Sequence, residues 1–360
     1  MLIVTVAILL VYLFLSQPKF GNAPTGIQLD KIKKSPHYRD GKFHNLNYTP
    51  DLTEGTTYFK ILKKVLFEKN KRSRPQDVLP SKITNLHALD PSEDVIVWFG
   101  HSSYFLQIDG KRFLVDPVFS GAASPVKATT RSFAGTDVYS ADDIPAIDIL
   151  FISHDHWDHL DYETILKLKP KIGMIICGLG TGAHLRKWGF DVAKINELDW
   201  NESVSLEDGF SVTATPARHF SGRSLIRNRA IWVSFVLQTR NRKLFLGGDS
   251  GYDTHFKTIG SVHGPFDLVI LECGQYDESW KYIHLMPEET VQAASDLQAK
   301  VLMPVHWAKF ALGNHAWDDS ILRVTRSAQQ VNMPLFTPMI GQKLLLDEQP
   351  LINDWWKGVN

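Results

Sequence analysis

The chain has 360 residues, 44% of them hydrophobic, which suffices for one large α/β domain with an extension and excludes a disordered chain. Lys plus Arg and Asp plus Glu each number 39, so no excess of positive charge points to nucleic acid, and any electrostatic partner must be met by a local patch. The two cysteines, Cys177 and Cys273, each sit beside an apolar run, as buried free thiols do, rather than in a disulfide or cysteine-metal pattern.

Leu2 to Leu15 is apolar apart from Thr5 and Tyr12. At roughly 14 residues it is shorter than the roughly 20 that cross a bilayer as a helix. No Lys or Arg precedes it and Ser16-Gln17-Pro18-Lys19 lacks a small-residue cleavage pattern, so residues 1–16 read as an uncleaved membrane anchor. Lys19, Lys31, Lys33 and Lys34 on its C-terminal side would leave the body of the protein in the cytoplasm. Residues 17–90, rich in Pro, Asn and Lys, read as an extension wrapped on the main domain. Within Phe59 to Arg74, Phe59, Leu62, Val65 and Leu66 recur at helical spacing among Lys60, Lys63, Lys64, Lys69, Lys71, Arg72 and Arg74. Such a helix suits an anionic membrane surface, and equally a place on the core with its charged face in solvent.

From about residue 93 the pattern changes to short strands. Val95 to Phe99, Tyr104 to Ile108 and Phe113 to Val115 are β-rich runs, with Asp109-Gly110 as a hairpin turn. Ile147 to Ser153, Met174 to Cys177, Ser211 to Ala214, Ile231 to Leu237, Lys243 to Leu246, Leu268 to Glu272 and Val301 to Pro304 follow. Helical patterns at Tyr162 to Leu168, Gly182 to Trp188, Pro287 to Leu297 and Asp318 to Val331 interleave with them. Strands first, then strands mixed with helices, predict two sheets covered by helices.

The chemistry concentrates where the strand Ile147 to Ser153 runs into His154-Asp155-His156-Trp157-Asp158-His159. Three imidazoles and a carboxylate on a tight loop leaving a buried strand are metal ligands of the type zinc accepts. A single His would more simply be a satisfied core or surface residue, but this many ionisable groups crowded beside a buried strand need a cation. On an extended stretch His154 and His156 point the same way, whereas Asp158 and His159 lie a turn later and address a second ion.

The H-x-H-x-D-H run resembles the signature of the metallo-β-lactamase superfamily. The resemblance implies an α/β fold, an αββα sandwich over about residues 91–346 with an N-terminal extension and a C-terminal tail at 347–360. It also implies further ligands: His219 in Thr215-Pro216-Ala217-Arg218-His219, Asp249 in Leu246-Gly247-Gly248-Asp249, where the glycines would let the backbone approach the metals, and His306 in Pro304-Val305-His306. His154, His156 and His219 would then hold one Zn2+, Asp158, His159 and His306 the other, with Asp249 and a hydroxide between them.

Three stretches resemble the N-acylphosphatidylethanolamine-hydrolysing phospholipase D branch: Trp98-Phe99-Gly100-His101-Ser102-Ser103, Asp116-Pro117-Val118-Phe119-Ser120 with Ala123-Ser124-Pro125, and Arg218 to Arg223. In that branch a His matching His284 acts on the substrate phosphate; Ile283 departs from the polar residue of the mammalian enzyme. The resemblance implies Asp158, Asp249 and His284 as catalytic groups, His284, Arg218 and Arg223 as phosphate contacts, and His101 as a support for the metal loop. His315 and Trp317, in a segment where Ala316 replaces a proline, are expected to pack, and Cys273 lacks a base that would make it a nucleophile. The implied substrate is a phospholipid phosphodiester met at a membrane surface, and a homo-oligomer is compatible with the sequence. Alternatives are a lactonase or other ester or amide hydrolase of the same fold, and an anchored metal-binding regulatory protein with little turnover.

Overall fold

The computed structural model describes residues 2–350 and 352–360. The strand runs are almost continuously apolar because both faces of their sheets are covered. In β1 (Val95–Trp98), Ile96 and Trp98 enter the core between the sheets, while Val95 and Val97 join the outer core under the helices. β2 (Tyr104–Ile108) and β3 (Lys111–Val115) complete an antiparallel meander, and Asp109 and Gly110 take positive φ at its predicted turn. β4 (Ile147–Ile152), β5 (Ile172–Gly178) and β6 (Ile195–Leu198) extend the sheet in parallel. The second sheet repeats this progression. β7 (Ser203–Ser205), β8 (Ser211–Pro216), β9 (Val233–Gln238) and β10 (Lys243–Leu246) are antiparallel, and β11 (Leu268–Glu272) and β12 (Leu302–Val305) follow in parallel. β13 (Lys343–Leu345) returns to the first sheet beside β1, giving seven strands against six.

The parallel steps are crossed by helices at Tyr162–Leu168, Gly182–Lys187, His255–His263 and Pro287–Asp296, and Asp319–Gln330 packs on Pro287–Asp296. The helix His255–His263 and the strands β6, β7 and β13 were not expected from the sequence: each is short, and β6 and β7 lie at a sheet edge without a continuous apolar run. Cys177 and Cys273 are free and buried, in the outer and inner cores respectively.

The extension differs from expectation in one respect. The helix there spans Tyr58–Phe67, with the Thr57 side chain accepting from the Lys60 amide, and stops before Lys69. Arg72 and Arg74 leave it to pair with Asp318 at 2.7 Å and to stack on Phe133 at 4.9 Å. None of its residues is buried, so its apolar side does not lie on the core. The N-terminal helix, Leu2–Leu15, is also exposed from Ile3 to Leu13, while Phe14 and Leu15 are half-buried. No helix among the described residues is long and apolar enough to cross a membrane.

Two buried residues of the tail dock on the domain: Trp355 stacks on Trp307 with ring centroids 5.2 Å apart and Trp356 meets Trp307 edge-on at 5.6 Å. Trp307 directly follows His306, so this aromatic cluster backs a candidate ligand. Trp356 is 2% exposed, and Trp356→Ala is expected to lower unfolding free energy by about 3–5 kcal/mol in urea titration; an unchanged midpoint would show that the cluster is not part of the core.

Candidate metal centre

All the sequence-predicted donors gather at one end of the sandwich, at or just after the C-terminal ends of strands. β4 delivers His154 to His159, β8 His219, β10 Asp249 and β12 His306. The donor run turns at once into the helix Tyr162–Leu168, capped by the Asp161 carboxylate accepting from the Glu163 amide at 3.3 Å, so the loop is held at both ends.

Two groups of donor atoms result. His154 Nε2 and His219 Nε2 lie 2.8 and 3.2 Å from His156 Nδ1, and both are within 3.9 Å of Asp249 Oδ2. On the other side His159 Nε2 is 3.6 Å from Asp158 Oδ2 and 3.2 Å from Asp249 Oδ1, which His306 Nδ1 also approaches at 3.2 Å. Within each group the ligand atoms lie inside 4.8 Å of one another, and Asp249 stands between the groups. The structure thus gathers His154, His156 and His219 on one side of Asp249 and Asp158, His159 and His306 on the other, with His101 beside the second set and Glu272 and His284 beside Asp249 and His306.

The charge states suit a cation. Burial, with the mutual repulsion of the rings, holds His154 well below the ordinary histidine range, and burial does the same to His219 and His306, leaving lone pairs available. Burial would raise Asp158 and Asp249, but the surrounding histidines outweigh it and keep both ionised. Burial would lower His159, yet Asp249, Asp158 and Asp116 together raise it: three carboxylates demand a positive charge at that point. His159 Nε2, Asp249 Oδ1 and His306 Nε2 are buried with no hydrogen-bond partner. Orphaned atoms of this kind are costly unless something binds them, and a divalent ion fits this donor set.

Each imidazole is fixed by its second nitrogen or its neighbours. His159 Nδ1 bonds Asp116 at 2.8 Å, and Asp116 also accepts from the Ser153 amide at 2.9 Å. His219 Nδ1 donates to the carbonyl of Ile283 at 2.7 Å, and its backbone is held by the Asn45 side chain of the extension. His306 Nδ1 lies 2.8 Å from Ser102 Oγ. His101 bonds Asp158 Oδ2 at 2.9 Å and stacks on His306 with centroids 3.9 Å apart, the supporting place expected of it. His101 and His306 both hold left-handed φ, of 54° and 68°; the His306 amide donates to the His101 carbonyl, and the His101 amide to the Trp307 carbonyl, each at 2.9 Å. Ser102 and Asp116 stand in stretches quoted for the resemblance but without a role, and Asn45 and the Ile283 carbonyl escaped the sequence reading, because a backbone acceptor carries no residue signal and Asn45 is distant in sequence from His219. Asp116→Asn is expected to weaken metal affinity roughly 10–100-fold in chelator competition; unchanged affinity would remove Asp116 from the support of His159.

His284 reaches the same cavity. Its Nδ1 lies 2.8 and 3.1 Å from the two oxygens of Glu272, a buried carboxylate at the end of β11 that also accepts from the Ser250 amide at 2.7 Å. Burial is the largest influence on Glu272 and raises it to about 7, while Glu272 and Asp249 overcome burial and raise His284 to about 9. A shared proton between Nδ1 and Glu272 leaves Nε2 as the nitrogen available to substrate.

The two arginines are placed differently from expectation, and neither lines the cavity. Arg218 donates to Thr49 Oγ1 and to the carbonyls of Tyr48 and Tyr252 at 3.0 to 3.1 Å, and stacks on Tyr282. Arg223 is buried, with its donors on main-chain carbonyls. Their proximity to His219 in sequence does not carry into side-chain direction. Arg227 is the arginine at the cavity mouth, over the Phe220 ring at 4.6 Å and 3.7 Å from Asp51. The glycines before Asp249 admit strand backbones rather than metals: a Cβ on Gly247 would meet the Ile270 carbonyl at 2.6 Å and one on Gly248 the Val233 carbonyl at 2.8 Å. His315 stacks flat on Tyr276 at 4.2 Å and Trp317 is buried, as packing residues; Cys273 is fully buried with its thiol pushed up by burial.

The cavity, of about 310 Å³, has a floor formed by His156, Asp158, His219, Asp249 and His306 with His284, and an upper wall of Leu52, Tyr58, Ile61, Trp280, Ile283 and Leu312. Three of those six wall residues come from the extension.

Two sheets with helices outside them and a double nest of imidazole and carboxylate donors at one end define a metallo-hydrolase of the αββα sandwich class. Residues 111–307, more than half of the chain, match the Beta-lactamase superfamily domain, and the chain belongs to the metallo-β-lactamase superfamily. It is a metal-dependent hydrolase of that fold. An uncharacterized protein of Mycobacterium tuberculosis is 37% identical over 332 residues, covering 90% of this chain and 88% of the relative. The N-acyl-phosphatidylethanolamine-hydrolyzing phospholipase D 1 of Caenorhabditis elegans is 32% identical over 300 residues, covering 75% of this chain and 80% of its own. Among solved structures, the metallo hydrolase Igni18 of Ignicoccus hospitalis superposes with a TM-score of 0.55 at 17% identity, over 70% of this chain and 98% of that one, which bears on the fold alone.

Proposed function

We propose that this protein is a phosphodiesterase acting on phospholipids of the N-acylphosphatidylethanolamine type at a membrane surface, with two Zn2+ as cofactor. The observation that carries the reading is the Glu272–His284 pair facing the donor cluster across a cavity whose floor is polar and whose upper wall is apolar. Such a cavity suits an amphiphile with its phosphate on the floor. The Caenorhabditis relative, named for this hydrolysis, supports it.

Two divalent ions held by these residues would supply Lewis acidity and a hydroxide nucleophile near neutral pH. The protein's own part is to hold charge and protons in place. Asp158 and Asp249, kept ionised, balance the cations; Glu272 orients His284, whose Nε2 can stabilise the phosphoryl oxygens or protonate the leaving alcohol. The apolar wall excludes water from the bond to be cut.

Two exposed apolar elements support a membrane partner. The N-terminal helix is apolar on every side, as helices in lipid or a protein core are, yet Ile3 is 84% exposed. Its 14 described residues, at about 1.5 Å each, extend roughly 21 Å against a hydrocarbon core of roughly 30 Å, and an apolar surface on every side suits burial in lipid. The helix Tyr58–Phe67 presents Phe59, Leu62 and Leu66 to solvent while Tyr58 and Ile61 line the cavity, so the apolar surface and the mouth adjoin. One observation favours a different bond: Ile283 puts an apolar side chain beside His284, which suits a lactone or uncharged ester.

Purified protein is expected to hold about two metal ions per chain by elemental analysis and to turn over an acyl-phosphatidylethanolamine and bis(p-nitrophenyl) phosphate but not a lactone; the reverse preference would establish the second reading. Asp249→Ala and His156→Ala are expected to abolish turnover with circular dichroism unchanged, and retained turnover in either would exclude this site. If His284 protonates the leaving group, His284→Ala lowers kcat about 10²–10⁴-fold on an alkyl phosphodiester and less on bis(p-nitrophenyl) phosphate, whose leaving group needs no proton. Leu62→Glu combined with Leu66→Glu is expected to lower turnover of vesicle-borne lipid and spare the soluble diester; equal loss on both would argue against a membrane role for that helix.

A further inference from the structure

The segment Pro18–Asn22, which follows the N-terminal helix, lies against the back of the loop that carries His154, His156, Asp158 and His159. In that loop the side chains alternate: His156 and Asp158 face the cavity, His154 and His159 are buried among the other donors, and Asp155 and Trp157 face the segment. Two lines of contact join them. Arg223 Nη1 donates to the carbonyls of Asp155 and Leu160, on either flank of the loop, at 2.9 and 2.6 Å. Its Nε and Nη2 donate to the Lys19 carbonyl at 3.2 and 3.0 Å, and the guanidinium lies 4.0 Å from the centroid of the Trp157 ring, which Phe20 meets edge-on at 5.1 Å. In the second line the Asn22 amide donates to His184 Nδ1 at 3.1 Å. A neutral ring accepting there carries its proton on Nε2, which lies 3.1 Å from Asp155 Oδ2, while Asp155 Oδ1 accepts from the Gly222 amide at 2.6 Å. Burying a guanidinium is costly, and a segment merely resting on the domain would not need one.

We propose that Pro18–Asn22 is a strap belonging to the metal centre. Through Arg223 and His184 it fixes Asp155 and Trp157, and with them the direction of the four donors. Strap, Arg223 and His184 are positioning groups, outside the ligand shell, whose loosening lowers metal affinity. The inference rests on the reading of those four residues as metal ligands.

Gly21 offers a test in the full-length chain. Its φ is +69° and an added Cβ would fall 1.9 Å from His184 Nδ1, so Gly21→Ala forces the strap off the ring. His184→Ala breaks the same line without adding an atom and decides the matter alone if Gly21→Ala does not fold. Co2+ titration followed by visible absorption is expected to show each variant binding roughly tenfold or more weakly than wild type, with an altered ligand-field spectrum. Wild-type affinity and spectrum in these variants would overturn the strap's role while leaving the metal centre standing. A wild-type protein that binds no Co2+ would overturn the ligand assignment and this inference together.

Discussion

Two buried carboxylates, Asp158 and Asp249, set among imidazoles whose lone pairs point at one another, form the arrangement on which the rest of the structure depends. In an apolar interior such a cluster is stable only with positive charge inside it, whether a proton on His159 or cations. The fold answers by assembling the donors from the ends of four strands in two sheets, whose mutual packing fixes positions that no single loop could hold. The apolar runs that make the sheets and the polar run that makes the centre are therefore one design: continuous burial on both faces of β4 brings His154 to the edge rigidly enough to matter.

Around the donors lies a second set of bonds that decides which nitrogen of each ring faces inward. Asp116 and the Ile283 carbonyl each take the outer nitrogen of one donor ring, Ser102 meets Nδ1 of His306, and Glu272 holds Nδ1 of His284. Ile283 shows why side-chain identity is a poor guide here. Its main chain holds a ligand whatever its side chain is, so exchanging a polar residue for isoleucine changes the cavity wall without disturbing His219.

The donor set could be read from the sequence because a contiguous H-x-H-x-D-H run after a buried strand has few other physical explanations, and the more distant ligands follow strands whose apolar pattern is plain. Arg218 and Arg223 could not be placed that way: adjacency to His219 fixes where their backbones are, and the buried carbonyls of Asp155 and Leu160, distant in sequence, decide where the Arg223 guanidinium goes. The lysines and arginines after Phe67 look continuous with the amphipathic helix in sequence, but Asp318 and Phe133 draw Arg72 and Arg74 out of it. Trp355 and Trp356 likewise reveal their place only through Trp307. In each case the missing term is a tertiary partner, which outweighs local pattern whenever burial or charge is involved.

The extension is where a widely shared fold becomes a particular protein. Asn45 grips the backbone of His219, Tyr48 and Thr49 occupy Arg218, and Leu52, Tyr58 and Ile61 wall the cavity above the donors. The same stretch carries the exposed apolar face of Tyr58–Phe67, so a displacement of that helix reshapes the mouth directly, through Tyr58 and Ile61. Access to the centre and contact with an apolar partner thus share side chains. A substrate that is itself part of an apolar surface would meet both at once, whereas a small soluble ester would use the floor and leave the wall without a role.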